Sequence, residues 1–345
     1  MKKVFGLAAA IALLCLGSIA QANITVDTVP VGDPGNAGEL SGGGAGGYGP
    51  DRICGSVAYN YNIGKYEVTA GQYADFLNKV AVTDTYGLYN TSMWSSSYGC
   101  KIQQSGSPGT YTYSVASDWA NRPVNYVSYW DSCRFANWLH NGQPTGIQTA
   151  ATTERGVYTL DDYNGDDGRT IQRNANWKWA VTSEDEWYKA AYYKGGGTTA
   201  GYWDYPTSSD TAPGQDMTDA SGNNANYYTA PYAYPIDSGK YTTVAGEFQN
   251  SDSPYGTFDQ GGNVWEWNEA IVYQDTNHIC RGLRGGSFYD DDDFLQASGR
   301  GSCTLPTGEG GDVGFRVSEV VPEPSSFVVL ACGLGMLLGL KRRRV

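Results

Sequence analysis

Oxygen-bearing side chains are concentrated in one short turn late in the chain. Asp259, Asn263 and Glu266 lie within eight residues, together with backbone carbonyls such as that of Gly261. Carboxylate, amide and backbone oxygens on a tight turn are the ligands that Ca²⁺ prefers. The spacing therefore predicts a structural calcium site; the alternative is a turn in which Asn263 only bonds the backbone.

Two further acidic segments have a less specific chemistry. The run Asp290–Asp293 places four carboxylates side by side, and their repulsion raises pKa values toward the range of acid–base catalysts. A solvated or cation-binding loop is favoured, and Arg284 and Arg300 would make the run structural if they paired with it. The segment 162–173 begins like an EF-hand loop, but its sixth residue is Asp167 where the motif requires Gly, so a solvated turn is favoured.

Few regular elements are available to position these residues. Three capping boxes, in which Ser or Thr lies three residues before an acid or amide, predict helices beginning after Thr69, Ser128 and Ser183. Alternating apolar residues predict a strand over 57–65, and the remainder consists of short strands and turns. Residues 32–50 are rich in Gly, Ala and Ser, which predicts a flexible lead-in.

Composition excludes several classes of protein. The 345 residues carry a formal net charge of −13, and DNA or RNA is not expected as a partner because such binding needs a basic surface. Aromatic residues make up 13% of the chain and charged residues only 17%, so an acidic disordered protein is excluded. The 46 glycines have no three-residue period, which excludes collagen.

Both ends of the chain have the pattern of sorting signals. A basic start, a short apolar run and Ala20–Ala22 predict a secretory signal peptide over 1–22. At the other end, Pro322–Pro324 precedes the uncharged segment 325–340 and a basic cluster. An apolar segment followed by basic residues predicts a membrane-spanning segment whose basic end stays in the cytoplasm.

The order of motif, apolar segment and basic cluster over 321–345 also resembles the PEP-CTERM sorting signal of Gram-negative bacteria. This resemblance implies recognition by an exosortase. It also implies delivery to the outer envelope or the extracellular matrix, with the segment held in the membrane only until it is processed.

Five of the seven cysteines lie between the two ends of the chain. Export to an oxidising compartment predicts at least one disulfide among Cys54, Cys100, Cys280 and Cys303, without fixing the pairing. Cys133 borders an apolar helical stripe and is predicted to be the unpaired thiol. No Cys-x-x-Cys occurs and only two histidines are present, so a zinc site built on Cys and His is not expected.

Six short motifs in a fixed order carry a family resemblance. They are Tyr66–Thr69, Arg122–Val124, Thr182–Trp187, Gly262–Trp267, Arg284–Phe288 and Gly314–Val317. Their succession resembles the formylglycine-generating enzyme (sulfatase-modifying factor) family over residues 52–320, after a Gly-rich lead-in at 23–51. The resemblance implies one α+β domain with an irregular, loop-rich C-type-lectin-like fold, short antiparallel strands and about three short helices.

The resemblance also implies structural calcium. In the family, the residues that match Asn263 and Glu266 are ligands, and Asp259 matches a further donor position. A second calcium site of the family implies Asn226, the carbonyl of Tyr227 and a downstream aspartate as ligands. The aspartate available in this sequence is Asp237.

The sequence departs from the family where the enzyme performs its reaction. Formylglycine-generating enzymes oxidise a sulfatase cysteine with O₂ and copper, which is held by two thiolates a few residues beyond the Gly-Gly-Ser motif. The matching positions are Asp290 and Leu295, and neither Cys nor His occurs between Phe288 and Arg300. Copper is therefore not expected, because Cu(I) requires soft ligands.

Two functions from different classes remain open. The resemblance places the acidic run in the groove of the enzyme, so the candidates for a functional site are Asp290, Asp291, Asp292, Asp293 and Arg300. The favoured function is a binding or structural module of the envelope or exopolysaccharide matrix, because aromatic faces and carboxylates suit polysaccharide or peptide ligands. The alternative is a formylglycine-generating-type oxidoreductase or another protein-modifying enzyme that uses the same groove.

Overall fold

Short strands and four helices, joined by long loops, make up the part of the chain that the computed structural model describes, which is residues 22–229, 236–237, 239–301 and 303–321. The helices are α1 (Ala70–Val80), α2 (Ser92–Ser95), α3 (Tyr129–His140) and α4 (Glu184–Tyr192). The strands are β1 (Thr28–Val31), β2 (Glu39–Ser41), β3 (Arg52–Cys54), β4 (Tyr61–Gly64), β5 (Ile102–Ser105), β6 (Thr112–Val115), β7 (Trp179–Val181), β8 (Trp265–Gln274), β9 (Ile279–Arg284), β10 (Val313–Phe315) and β11 (Val317–Val320).

Two small sheets form the centre of the domain, and two hairpins, β2–β3 and β5–β6, flank them. The first sheet has the order β1-β4-β11-β7 and is antiparallel throughout. In the second sheet, β8 pairs with β9 in antiparallel and with β10 in parallel orientation. The acidic run follows β9 after the short segment 285–289, so the second sheet positions the candidate site.

All three predicted capping boxes form. Thr69, Ser128 and Ser183 each accept a hydrogen bond from the backbone N–H three residues later, and the side chain at that position accepts one from their own N–H. These bonds satisfy N–H groups that the first turn of a helix leaves unpaired. The predicted helices are confirmed as α1, α3 and α4, whereas the four-residue α2 has no such signal.

The predicted strand over 57–65 is shorter in the structure, where β4 covers only Tyr61–Gly64. Val57 bonds instead to a neighbouring loop: its carbonyl accepts the N–H of Gly35, and its N–H donates to Oδ1 of Asn36. A loop contact therefore replaces the sheet pairing that the alternation predicts.

The Gly-rich segment 32–50 packs against the domain, so the prediction of a flexible lead-in is wrong. Its strand β2 pairs with β3, and Gly42 donates its N–H to the carbonyl of Ser298 at 3.0 Å. Gly42 has a φ of 119°, and a Cβ there would lie 2.6 Å from the carbonyl oxygen of Pro50. This close backbone contact requires glycine. The Gly-rich composition of the segment therefore reflects its packing here, although composition alone suggests flexibility.

Aromatic side chains from the family motifs fill the core. Trp187, Trp265, Trp267 and Phe288 are all buried. The indole N–H of Trp267 donates to the carbonyl of Val127 at 3.0 Å, so its polar atom is satisfied inside the core.

One disulfide joins Cys280 in β9 to Cys303, which confirms the prediction of at least one bridge. Cys133 is unpaired and buried, as predicted, and so are Cys54 and Cys100. The predicted sorting signals lie outside the described residues, apart from residues 22 and 321. None of the helices in the described residues is long and apolar enough to cross a bilayer.

Candidate functional site

A groove of about 680 Å³ opens beside the acidic run. Its floor and walls combine three aromatic rings with three carboxyl groups and one guanidinium: Tyr48, Trp265, Phe294, Asp290, Glu309, Asp312 and Arg300. The ring of Tyr48 stacks on that of Phe294, with centroids 4.6 Å apart and an interplanar angle of 16°. The Gly-rich segment thereby supplies one wall of the groove.

Asp290 occupies a fixed position in the wall of the groove. Its Oδ2 accepts hydrogen bonds from the backbone N–H of Ser287 at 3.0 Å and from the hydroxyl of the same residue at 2.5 Å. Burial raises the pKa of Asp290, and the carboxylate of Asp312 raises it further, although the bonds from Ser287 act in the opposite direction. This carboxyl therefore ionises less readily than an ordinary aspartate.

The other carboxyl groups of the groove also hold their protons more tightly than usual. Burial, followed by the charge of Asp131, raises the pKa of Glu309 to about 7. Burial raises the pKa of Asp312 as well. Protonated and ionised carboxyls can donate and accept hydrogen bonds respectively, which suits a ligand rich in hydroxyl or amide groups.

The remaining aspartates of the run have separate roles. Asp291 and Asp293 are exposed, and Asp292 accepts a hydrogen bond from the hydroxyl of Tyr205 at 3.3 Å. Asp293 accepts one from the side-chain amide of Gln296 at 3.1 Å. The four aspartates therefore do not act as one cluster, and only Asp290 lines the groove.

The alternative that Arg284 and Arg300 neutralise the acidic run is wrong. Both guanidinium groups are buried and pair with Glu184 at the start of α4, at 2.8 and 2.7 Å. Although burial opposes ionisation of Glu184, these arginines hold its pKa below the usual value. Both arginines thus pair with a carboxylate on a helix that is distant in sequence, and not with the acidic run.

A smaller aromatic cavity of about 240 Å³ adjoins the groove and shares Asp312 with it. Its lining includes the rings of Tyr98, Phe288 and Tyr289. Tyr98 stacks on Phe288 with centroids 5.8 Å apart. The sequence gives no local signal for Tyr48 or Tyr98, whereas Asp312 lies two residues before the Gly314–Val317 motif and could have been considered.

The predicted calcium turn is a network of buried polar groups. Oδ2 of Asp259 accepts the N–H of Gly246 at 2.6 Å, and burial raises the pKa of Asp259 to about 6. Both oxygens of Glu266 bind the guanidinium of Arg316, each at 2.6 Å. Oδ1 of Asn263 accepts the N–H of Thr243 at 3.0 Å. Each predicted side-chain ligand therefore already has a protein partner.

Two buried oxygens beside this turn have no partner among the described residues: Oε2 of Glu67 and Oδ1 of Asn226. Glu67 is 2% exposed, and its other oxygen accepts a hydrogen bond from Asn263 at 3.1 Å. Burial, followed by the charge of Asp259, raises the pKa of Glu67 well above its usual value. Unpartnered hard oxygens fit Ca²⁺. Glu67 belongs to the motif Tyr66–Thr69, but its distance in sequence from residues 259–266 gives no indication that it lies beside this turn.

The residues of the predicted second calcium site contact other protein groups, and the site stays a prediction. Asn226 bonds Asn263 at 3.2 Å and thus lies beside the first turn. Asp237 pairs with Arg122, and the carbonyl of Tyr227 accepts a hydrogen bond from the side-chain amide of Gln215. In the described part of the chain, no three His, Cys, Asp or Glu side chains are arranged to hold a metal, so calcium at the first turn would also need amide and backbone oxygens.

Copper does not fit the residues of the groove. Asp290 is a hard donor, and Leu295 is apolar and fully buried. The nearest cysteines in sequence, Cys280 and Cys303, are joined to each other. No thiolate pair is therefore available at these positions.

Comparisons with known proteins identify a matching family and several similar solved structures. The family model for the sulfatase-modifying factor enzyme 1-like domain matches residues 52–320. Among solved structures, CarF is 20% identical over 86% of this chain and 99% of its own, with a TM-score of 0.49. Treponema denticola variable protein 1 is 18% identical over 85% of this chain and 94% of its own, with a TM-score of 0.46. PvdO from Pseudomonas aeruginosa is 18% identical over 86% of this chain and 92% of its own, with a TM-score of 0.46. No curated protein matches. The family match and the short-stranded α+β architecture confirm the predicted fold class.

Proposed function

The chain belongs to the sulfatase-modifying factor family, and on that basis we propose that it is an exported binding module without the oxidase activity of the family's enzymes. One observation carries the proposal. Asp290, which lines the groove, stands where the copper-dependent enzymes have a thiolate, and the second position is Leu295, which is fully buried. Hard and apolar groups cannot replace soft copper ligands.

The surface of the groove supports a polysaccharide or peptide as the ligand. Tyr48, Trp265 and Phe294 present aromatic faces, and the carboxyls of Asp290, Glu309 and Asp312 supply directional hydrogen bonds. Apolar faces with a few placed polar groups are typical of ligand sites. Sugar rings fit such surfaces because they have both C–H faces and hydroxyl edges.

Catalysis in the same groove is the second candidate. Two hydrogen bonds from Ser287 hold the Asp290 side chain in place. Its pKa is raised by burial, which suits a proton donor in the modification of a protein or glycan. Under this alternative, either a formylglycine-generating-type oxidoreductase with displaced ligands or another modifying enzyme uses the groove.

The two ends of the sequence support export and processing. A signal peptide over 1–22 and a PEP-CTERM-like segment over 321–345 would take the protein across the inner membrane to the outer surface or matrix of a Gram-negative bacterium. An exosortase would be the processing partner. Mass spectrometry of matrix-associated protein should not detect residues 341–345; their recovery would contradict processing.

Calcium is proposed as a structural ion at the turn around Asp259. The unpartnered oxygens of Glu67 and Asn226 support it, with Asp259, the carbonyl of Gly261 and Glu266 as further oxygen donors nearby in the turn. A calcium ion would supply positive charge to these buried carboxylates and stabilise the fold, without taking part in a reaction.

A glycan and peptide array on the purified protein, with and without calcium, tests the function. We expect binding to a glycan or peptide class that Tyr48→Ala weakens by about tenfold, because this ring forms one wall of the groove. Tyr273→Ala is the matched control, since Tyr273 is 49% exposed and lies outside the groove. Absence of binding, or equal loss in both variants, would contradict the proposal.

A further inference from the structure

A second polar cavity, of about 370 Å³, lies beside the β8–β9 pair and shares no lining residue with the groove. The cavity is lined by three arginines, Arg52, Arg173 and Arg281, and by one carboxylate, that of Glu269. Such an excess of guanidinium groups is unusual for a chain with a formal net charge of −13. The cavity is therefore a positive site on an acidic protein.

Arg281 differs from the other buried arginines because it pairs with no carboxylate among the described residues. It is 3% exposed, and its Nη atoms donate only to backbone carbonyls, those of Glu269 at 2.7 Å, Gly168 at 3.1 Å and Ile171 at 3.2 Å. Its Nε–H is buried and has no acceptor in the part of the chain that the structure describes. Burying a cation without a counter-ion is costly, so an anion beside it would be stabilising.

The neighbouring carboxylates are occupied by other arginines. Glu186 accepts a bidentate pair from Arg173, at 2.7 and 2.9 Å. Glu269 accepts from Nε of Arg173 at 2.9 Å and from the hydroxyl of Tyr158. Glu184 binds Arg284 and Arg300 as well as Arg52. Among the described residues, none of these carboxylates forms an ion pair with Arg281.

The guanidinium of Arg281 is also held in place before any ligand arrives. Its carbon lies 4.4 Å from the centre of the Tyr129 ring, and three carbonyls fix its plane. Arg52, in contrast, is 41% exposed and can adjust to a ligand. A fixed guanidinium and an adjustable one that line the same cavity are a suitable arrangement for a planar or tetrahedral oxyanion.

We propose that this cavity binds a small oxyanion, namely sulfate, phosphate or the carboxylate of an acidic sugar, between Arg281 and Arg52. The site is independent of the groove and of the function proposed for it. The oxyanion would act as the counter-ion that the fold lacks at Arg281. Its binding should therefore stabilise the protein.

Thermal unfolding with about tenfold excess of anion over Kd tests the proposal. Sodium sulfate, phosphate and glucuronate are compared with sodium chloride at equal ionic strength, and the ranking of the three identifies the preferred anion. We expect a rise in melting temperature of about 3 °C for the preferred anion. Sulfate and phosphate also stabilise proteins generally by exclusion from their surface, so the variants decide the result.

Two variants disrupt the site while Arg281 itself is kept. Arg52→Gln deletes the adjustable guanidinium, and Ile271→Asp places a carboxylate on β8 opposite Arg281, its partner in the strand register. Both should lose most of the anion-specific shift, as should Arg281→Gln if it folds. Arg155→Gln, which removes an exposed arginine outside the cavity, should keep it. No shift in the wild type, or equal shifts in all variants, would overturn the proposal.

Discussion

The buried network around Glu184 and the carboxyls that line the groove differ in whether they form ion pairs. Glu184 is buried and binds three arginines, Arg284, Arg300 and Arg52, at 2.8, 2.7 and 3.2 Å. Asp290, Glu309 and Asp312 have raised pKa values and, in the described part of the chain, no ion pair. The first group stabilises the scaffold, whereas the second is available to a ligand.

The proposal that the chain has the fold of the family without its oxidase chemistry rests on a similar separation of residues. Glu184, Arg284 and Arg316 come from the motifs that carry the resemblance, and all three are consumed by buried ion pairs. The positions that decide copper binding, Asp290 and Leu295, lie between those motifs. Motif matches therefore establish the fold, and the reaction must be judged from the groove.

Breaking the scaffold network should have the largest effect. Glu184→Gln leaves buried guanidinium groups without their counter-ion, so the free energy of unfolding should fall by about 3–5 kcal/mol. Asp293→Asn is the control, because this exposed carboxylate makes no ion pair in the described residues and its replacement should have little effect. Urea denaturation of both variants measures the difference. Similar stability for Glu184→Gln and the wild type would show that the two regions do not differ in this way.

The turn around Asp259 is a third region with buried charges, and its predicted ligand is calcium. Excess calcium should stabilise the protein by about 2.7 kcal/mol at 100 times Kd, because the ion binds only the folded state. Glu67→Gln should lose most of this response, whereas Asp167→Asn, in the EF-hand-like segment, should retain it. Melting curves in calcium and in EDTA provide the measurement, and identical curves for the wild type would rule out the site.

The pH dependence of stability should report the carboxyls of the groove. Because the folded state raises the pKa of Glu309 from 4.5 to about 7, its protonated form stabilises the fold below pH 4.5, and this contribution is lost as the pH rises through 7. After allowance for solvent screening, the loss should be about 1–2 kcal/mol. Glu309→Gln should lose less stability than the wild type between pH 5 and pH 8. An unchanged pH profile in this variant would contradict the raised pKa.

Local features of the fold could be predicted from sequence, because they depend on contacts within a few residues. The capping boxes at Thr69, Ser128 and Ser183 are of this kind, and all three form. The close contact of Gly42 with Pro50 could not be predicted, because it depends on tertiary structure that composition does not reveal.

The candidate site could be predicted only in part, since it is assembled from distant segments. Asp290 was identified because it follows a motif, whereas Tyr48 reaches the groove from a stretch more than 200 residues earlier in the chain. Proximity in sequence suggests the acidic run as a possible partner of Arg284 and Arg300, and this alternative is wrong. Glu184, more than 100 residues from Arg300, binds both arginines in the folded protein.

The most direct test of the central claim is an assay for formylglycine in a Cys-x-Pro-x-Arg peptide incubated with the purified protein, copper and oxygen. We predict no formylglycine above the no-protein control, because Asp290 and Leu295 cannot hold Cu(I) and Cys280 is joined to Cys303. A parallel assay of Cys280→Ser/Cys303→Ser shows whether those thiols contribute to any product. Formylglycine formed by the wild type above the control would contradict the account and assign the groove to an oxidase.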